Sequence, residues 1–451
     1  MLVGERKDPL IDALREREQR ARNGSDCWSF REPTIRRGAH ALIHYPAMMV
    51  PSLQGLIIDC IQGSGKPIST VLDPFVGSGT ILVESMERGL GFAGVDINPL
   101  AGLACLAKAG PYFSDAFDAR STELLGRLKS DRKTYKARSF PGRDKWFETE
   151  ISSDLEKIAR HIRREPVVWA RRLFWLALCR VVRATCNSRI STYKLHAIES
   201  NTQRAPINAL IEFANVVAKF SVHVREQQRS LCAKGFLNRG RYCSNLQIEI
   251  GDTQTLIASG GIGKHDLIMT SPPYGDNVTT IPYGQYSFLP LQWVDLEDVG
   301  IERGDPITAN THATDTASLG GRLIGYEEKR EALSANYEVA GAFIKSLHNQ
   351  ENGRKRFVSF FFDLDATIQS IASATGANGI HAWTVSNRRI CGQEVPMVSL
   401  LGEMLGARGI VPIGRISRSI RFKKMATKNS MSATMSSETI LLARKTKGAN
   451  K

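Results

Sequence analysis

Residues 270–274, TSPPY, close a short apolar run, HDLIM (265–269), that reads as a strand. A hydroxyl at Ser271, two prolines at Pro272 and Pro273 and the flat ring of Tyr274 therefore stand together where that strand stops, on a backbone that cannot bend. Such a group suits a planar, polar ligand: it offers an acceptor for N–H groups, a carbonyl of fixed direction and a face to stack on. A second constellation is LDPFVGSGT (72–80), where Gly77 and Gly79 let the chain turn tightly against a ligand while the following helix presents its N-terminal amides. The turn closes with Gly-Thr-Ile and not Gly-Lys-Ser/Thr, which disfavours an ATPase-type phosphate loop.

On the glycines alone a dinucleotide-binding turn stays open. Two acids argue against it: Asp96 follows Gly79 by only 17 residues, and Asp73 precedes the loop, where it would repel a pyrophosphate. Asp73 is better matched to a cationic ligand. S-adenosyl-L-methionine fits, with an ammonium and a sulfonium at one end and ribose hydroxyls for Asp96 at the other. Asp252, in EIGDTQ, ends the strand before HDLIM and is placed either to meet an adenine or to cap the helix that follows.

The elements that must position these groups are of α/β type. ISTVLDPFVGSGTILVESMERG (68–89) and GFAGVDINPLAGLACLAKAG (91–110) are two strand–loop–helix units in succession, which predicts a mostly parallel sheet covered by helices. Residues 1–40 are polar and charged and read as a loose N-terminal arm; HALIHYPAMMVPSLQGLIIDCI (40–61) gives a proline turn and an amphipathic helix. From about 115 to 245 the periodicity becomes helical, interrupting the sheet. Strand signals return at LQIEIGDTQ and HDLIM, a Thr/Gly-rich stretch spans 303–325, and a helix follows near 327–347. RFVSFFFDLDATIQSIASA, GIHAWTVSN and a hairpin-like pair, RISRSIRFKK and SSETILLARK, then complete the sheet. The domain reading is an arm (1–40), a first catalytic-domain part (41–114), a helical insertion (115–245) and a second part (246–451) with its own insertion at 291–350.

Charge singles out the insertion. It holds 26 Lys and Arg against 13 Asp and Glu, so nearly all of the chain's formal +15 lies there. Such a block is the footprint of a surface that grips phosphates, with Arg171, Arg172, Arg180 and Arg183 as contacts; a solvated helical face is the plainer alternative. Its aromatics, Trp146, Phe147, Trp169, Phe174 and Trp175, read as helical core. Eight cysteines without a C-x-x-C pair, and histidines without ligand spacing, point to neither metal nor disulfide. With no apolar run of about 18 residues and a charged start, the expectation is a cytoplasmic protein without a membrane span.

The order DPFVGSGT, VDINP, IEIGD, TSPPY resembles the motif set of the DNA amino-methyltransferases, the N4-cytosine and N6-adenine methylases, and HYPAMMVP is similar to the segment that closes over the methionine moiety in that family. The resemblance implies a Rossmann-like methyltransferase fold with S-adenosyl-L-methionine held by Pro46, Asp73, Phe75, Gly77, Gly79, Thr80, Asp96, Asn98 and Asp252. It implies that Ser271 and the carbonyl of Pro272 accept the N–H groups of a base amine while Tyr274 stacks on a base flipped out of double-stranded DNA. Ser at 271 leans toward cytosine N4, where Asp or Asn leans toward adenine N6. Asn387 is a further base- or loop-positioning candidate. A cognate restriction endonuclease is the partner implied. RNA guanine-N2 methylation and a non-catalytic nucleic-acid-binding protein are the rival readings. One departure stands out: 191 residues separate Thr80 from Ser271.

Overall fold

The computed structural model describes residues 2–4, 8–21, 27–30, 35–189, 192–198, 207–275, 280–302, 304–419 and 437–446. The first strand, β1 (Leu2–Gly4), and α1 (Pro9–Arg20) come from the segment expected to be a loose arm. Both are built in: β1 pairs with a strand near the C-terminus, and Leu10, Ile11 and Leu14 of α1 are fully buried. Asp8 caps α1 by accepting from the Leu10 amide and also pairs with Arg444, so the ends of the chain are tied together.

Next come α2 (Pro51–Gly63), β2 (Thr70–Asp73), α3 (Thr80–Met86), β3 (Gly91–Asp96) and α4 (Pro99–Lys108). These are the two predicted βα units. The insertion supplies α5 (Ser114–Ser130), α6 (Thr149–Arg163), α7 (Val168–Thr185) and α8 (Ala209–Ala233). After it run β4 (Leu246–Ile250), α9 (Thr253–Ala258), β5 (His265–Thr270) and α10 (Tyr283–Leu291). The chain closes with α11 (Tyr326–Asn336), α12 (Glu338–Ser346), α13 (Glu351–Ser373), β6 (Thr375–Ser386), α14 (Met397–Gly406), β7 (Ile410–Ser419) and β8 (Ser437–Lys445).

The eight strands form one sheet in the order β1-β7-β8-β6-β5-β2-β3-β4. The five from β6 to β4 are parallel, and the pairs β6/β8, β8/β7 and β7/β1 are antiparallel. Chain order runs outward from β2 through β3 to β4, then returns to β5 on the other side of β2. That reversal is the switch point at which open α/β sheets bind ligands, beyond the C-terminal ends of the strands. The fold is Rossmann-like, with the mostly parallel sheet that the βα repeats predict.

Alternate side chains of each strand feed opposite layers. Val71 and Leu267 face a core containing α2, α3 and α4, whereas Leu72 and Ile268 face one built on α12, α13 and α14. The insertion belongs to the first of these: Phe117, Leu155, Phe174, Trp175 and Phe220 are part of the same contiguous cluster as Val71. Among its aromatics, Trp146, Phe147, Phe174 and Trp175 are buried as expected and Trp169 is partly buried.

One element differs from the sequence reading. RFVSFFFDLDATIQSIASA was assigned to the sheet but forms most of the 23-residue α13. Its aromatic run mimics a buried strand, yet Phe357, Phe360, Phe361, Leu364, Ile368 and Ile371 recur at helical spacing and are all buried. The closing hairpin is present as β7 and β8, with residues 420–436 outside the described set. No helix among the described residues is long and apolar enough to cross a membrane.

Candidate active site

The glycine loop leaves β2 and enters α3 through two left-handed residues, Gly77 at φ +49° and Gly79 at φ +74°. Conformation, and not crowding, demands glycine at 77, because an added Cβ would meet nothing nearer than 3.8 Å. At 79 a Cβ would also sit 3.0 Å from Cys105 Sγ. The loop is braced from both sides. The Gly77 amide donates to Asp96 Oδ2 at 2.8 Å, and Lys108 Nζ donates to the Ser78 carbonyl at 2.6 Å. The other Asp96 oxygen accepts from the Asn98 amide at 2.8 Å. Asn98 caps α4 through Oδ1, to the Leu100 amide at 3.0 Å, and its Nδ2 donates to Tyr45 Oη at 3.0 Å.

These groups wall a cleft of about 870 Å3, its open mouth included. Of the sequence-predicted cofactor set, Pro46, Phe75, Gly77, Thr80, Asp96, Asn98 and Asp252 line it. Asp252 is also the cap of α9, its Oδ2 accepting from the Thr255 amide at 2.8 Å. Burial lifts the Asp96 carboxyl to about 6 despite its backbone donors.

Asp73 is placed otherwise than expected. It lies beneath the loop and not on the cleft wall, 0 % exposed, its Oδ1 accepting from Thr270 Oγ1 at 2.6 Å and from the Phe75 amide at 3.1 Å. Its role here is to tie the end of β2 to the end of β5. Burial raises it to about 7, and Oδ2 has no hydrogen-bond partner among the described residues. Gly79 likewise shapes the loop without lining the cleft.

A second, smaller cavity abuts the first. Ser271, Pro272, Pro273 and Tyr274 form one wall, and Ala47, Thr280, Ile281 and Tyr283 the other. Ser271, Pro273, Ala47 and Tyr283 belong to both cavities, so the two share a wall at the end of β5. Ser271 Oγ and Tyr274 Oη are 3.1 Å apart, and Arg388 Nη1 donates to the Tyr274 carbonyl at 3.4 Å. An added Cβ on Gly275 would collide with the Arg388 guanidinium, so that side chain packs directly under the turn. Asn387 is not among the lining residues of either cavity, and its Oδ1 accepts from the Ser437 amide at 3.3 Å.

The sequence missed an aromatic wall. Tyr45 stacks on Tyr283 with centroids 5.7 Å apart and meets Tyr286 edge-on, also at 5.7 Å. Thr314, Ala317, Ser318 and Leu319, from the turn-rich stretch, close the cleft opposite the glycine loop. Tyrosines flanking two proline turns, HYP and PYG, are the local signal for that wall.

The four arginines expected to grip phosphates turn inward. Arg171 clamps Asp298 through Nε and Nη2 at 2.8 and 2.5 Å, and Arg172 Nε donates to the Asp298 carbonyl at 2.7 Å. Arg180 donates to the Ala41 carbonyl and lies over Phe220, while Arg183 lies over Tyr286. None of the four is exposed, because α7 packs between the sheet-side helices and α8. For Arg171 and Arg172 the expected phosphate contact is thus corrected to an internal clamp.

No family model matches the chain. It is 27% identical, over 98% of its length and 98% of the relative's, to the type II methyltransferase M.MvaI of Kocuria varians. Among solved structures, the rRNA methyltransferase aviRa from Streptomyces viridochromogenes superposes with a TM-score of 0.34 at 12% identity, covering 92% of this chain and 96% of that one, a likeness too slight to bear on function. With four motifs in order, a Rossmann-like sheet that brings them to one edge and an end-to-end similarity to a type II methyltransferase, the resemblance to the S-adenosylmethionine-dependent methyltransferases is borne out.

Proposed function

We propose that this chain transfers a methyl group from S-adenosyl-L-methionine to an exocyclic amine of a DNA base, with cytosine N4 as the first choice. One observation carries the reading. A cleft with a glycine loop and an acid on its wall adjoins a second cavity walled by Ser-Pro-Pro-Tyr, so a donor site and an acceptor site would share Ser271 and Pro273. When bound, S-adenosyl-L-methionine supplies the electrophilic methyl group, and the residues of the larger cleft suit it. Asp96 offers oxygens to ribose hydroxyls, Asp252 stands at the far wall, and Met48 and Met49 give apolar cover beside Pro46.

On the acceptor side a base amine is a weak nucleophile, its lone pair delocalised into the ring. Ser271 Oγ and the Pro272 carbonyl take its N–H groups and so turn that pair toward the donor cleft, and alignment of this kind lowers the barrier without any charged base. A flat pocket at the end of a strand cannot reach into a stacked duplex, so the target base enters flipped out, with the Tyr274 ring as its neighbour. A neutral serine in place of a carboxylate fits the more electron-rich cytosine heterocycle. DNA as substrate rests on the motif order and accords with the type II methyltransferase relative; a cognate restriction endonuclease is the partner that goes with it.

The test is direct. Purified protein is incubated with S-adenosyl-L-methionine and unmethylated genomic DNA, the DNA is digested to nucleosides, and the products are weighed by mass spectrometry. N4-methylcytosine is the expected product. N6-methyladenine would overturn the choice of base, and methylation of ribosomal RNA with none of DNA would overturn the substrate.

A further inference from the structure

Beside the two cavities a file of rings runs outward from the buried wall to solvent. Tyr45 is buried, and its neighbour Tyr286 nearly so; Tyr193 meets Tyr286 edge-on at 6.0 Å and is half-buried; His44 lies 6.4 Å from Tyr193 and is exposed. Exposure therefore rises along the file. Structure holds the outer end in place. Tyr286 Oη donates to the His44 carbonyl, the Leu195 amide donates to Gln285 Oε1 at 3.1 Å, and a bridge pairs Ser188 with Ala197. Cations flank it. Arg183 lies 4.9 Å over the Tyr286 ring, Arg36 donates to the Met49 carbonyl at the cleft wall, and Lys194 follows Tyr193 directly.

Aromatic packing that merely pins a surface segment would end in a buried ring. This file instead ends in a ring open to solvent, beside the chain position of Lys194 and on the side of the two cavities. Rings that present a face to solvent among cations are the means by which proteins hold unstacked nucleotides and their phosphates. We propose that the Tyr193–His44 end of the file, with Lys194, is a docking surface for the DNA strand that flanks the flipped nucleotide. It rests on the DNA-methylation reading and replaces the inward-facing Arg171 and Arg172 as the place where the strand is held.

Anisotropy of a fluorescein-labelled mixed-sequence DNA duplex, titrated with the full chain over a range of salt, tests it. Tyr193→Ala is expected to weaken binding about tenfold, within the span for one lost base-stacking ring, and Tyr193→Phe to stay within about twofold of the parent. Lys194→Gln leaves the Ser188–Ala197 bridge in place and should flatten the dependence of log affinity on log salt by roughly one unit. Calorimetry with S-adenosyl-L-methionine should show cofactor affinity unchanged in all three. Parent-like DNA affinity and salt slope in both Tyr193→Ala and Lys194→Gln would overturn the docking surface. The DNA reading stands apart from that result, since it is decided by whether the parent protein methylates DNA at all; tighter binding to an RNA duplex of the same sequence would overturn the strand as DNA.

Discussion

At the C-terminal edge of the sheet charge is scarce and placed where it is hard to keep. In the helical insertion it is abundant and placed where it is easily neutralised. Asp73 and Asp96 sit at the ends of adjacent parallel strands, and burial lifts them to about 7 and about 6, well above the ordinary carboxylate range. The insertion carries 26 basic side chains, but many of those that face inward meet a carboxylate, as in Arg120–Glu165, Arg163–Glu156, Arg171–Asp298 and Arg225–Asp118. A charge count locates a segment; only the partners tell whether the charge faces a ligand or a neighbouring helix. The edge does its chemistry with few groups in perturbed states, and the insertion uses many ordinary ones to fasten itself to the frame.

The largest expected effect breaks the insertion side of that contrast. Arg171→Ala removes the partner of Asp298, a carboxylate only 7 % exposed whose remaining side-chain donor is the Trp175 indole at 2.7 Å. Leaving a buried carboxylate unpaired costs about 3–5 kcal/mol, whereas removing both partners costs far less. Urea unfolding should show that loss for Arg171→Ala and a partial recovery in Arg171→Met with Asp298→Leu, while the salt slope of DNA binding stays put. A stable Arg171→Ala protein with a flattened slope would return this arginine to the phosphate surface.

Second in size is Asp73. Its folded-state value of about 7 lies above the ordinary carboxylate range, so the folded protein favours the protonated acid, and stability falls as pH rises from about 4 through 7. The difference amounts to at most about 4 kcal/mol. Asn in its place keeps an oxygen for Thr270 and the Phe75 amide and cannot ionise. Melting curves from pH 5 to 8 should therefore decline less for Asp73→Asn than for the parent; equal declines would show that the acid stays charged in the fold.

How far the sequence revealed these things depends on how local their causes are. The glycine loop, Asp96, Asp252 and the TSPPY turn were legible because each is a contiguous stretch whose backbone demands show in its own residues. The parallel order was legible because βα repeats leave little choice of connection. Asp73 was misplaced because its motif gives the strand end and not the direction of the side chain. The aromatic wall and the Arg171 clamp stayed hidden for another reason: Tyr45 and Tyr283 are 238 residues apart, and Arg171 and Asp298 are 127 apart. No period or spacing joins such pairs. Residues 356–373 were misread because phenylalanine serves a buried strand and a buried helix equally well, and only the longer 3.6-residue recurrence separates them.

Ser271 sharpens the edge side. If the acceptor wall acts through a neutral oxygen, Ser271→Ala should slow single-turnover methylation about 10- to 100-fold, the kinetic equivalent of losing one hydrogen bond worth roughly 1.5–3 kcal/mol. Cofactor affinity should hold, because the glycine loop and Asp96 belong to other strands. A parent-like rate would reduce Ser271 to a turn residue held by Tyr274.

The smallest effect asks whether Asp96 is a ligand or a brace. Its two oxygens already accept the Gly77 and Asn98 amides, which would suffice for a purely structural acid, yet the carboxylate also lines the cleft. Ribose hydroxyls donate better to a carboxylate than to a carboxylic acid, so binding should favour the ionised form. Protonation then competes with the cofactor: affinity for S-adenosyl-L-methionine should be level above pH 7 and weaken as pH falls through about 6, the value to which burial lifts this group. Asp96→Asn should bind about 1–3 kcal/mol more weakly at pH 8 and show no inflection near 6. Asp73 does not confuse the result, since it is off the cleft wall and Asp73→Asn should keep the inflection. Calorimetric titrations at several pH values decide it: a parent protein whose affinity is flat from pH 5 to 8 would leave Asp96 as the brace of the glycine loop, and the edge would then capture its cofactor with backbone alone.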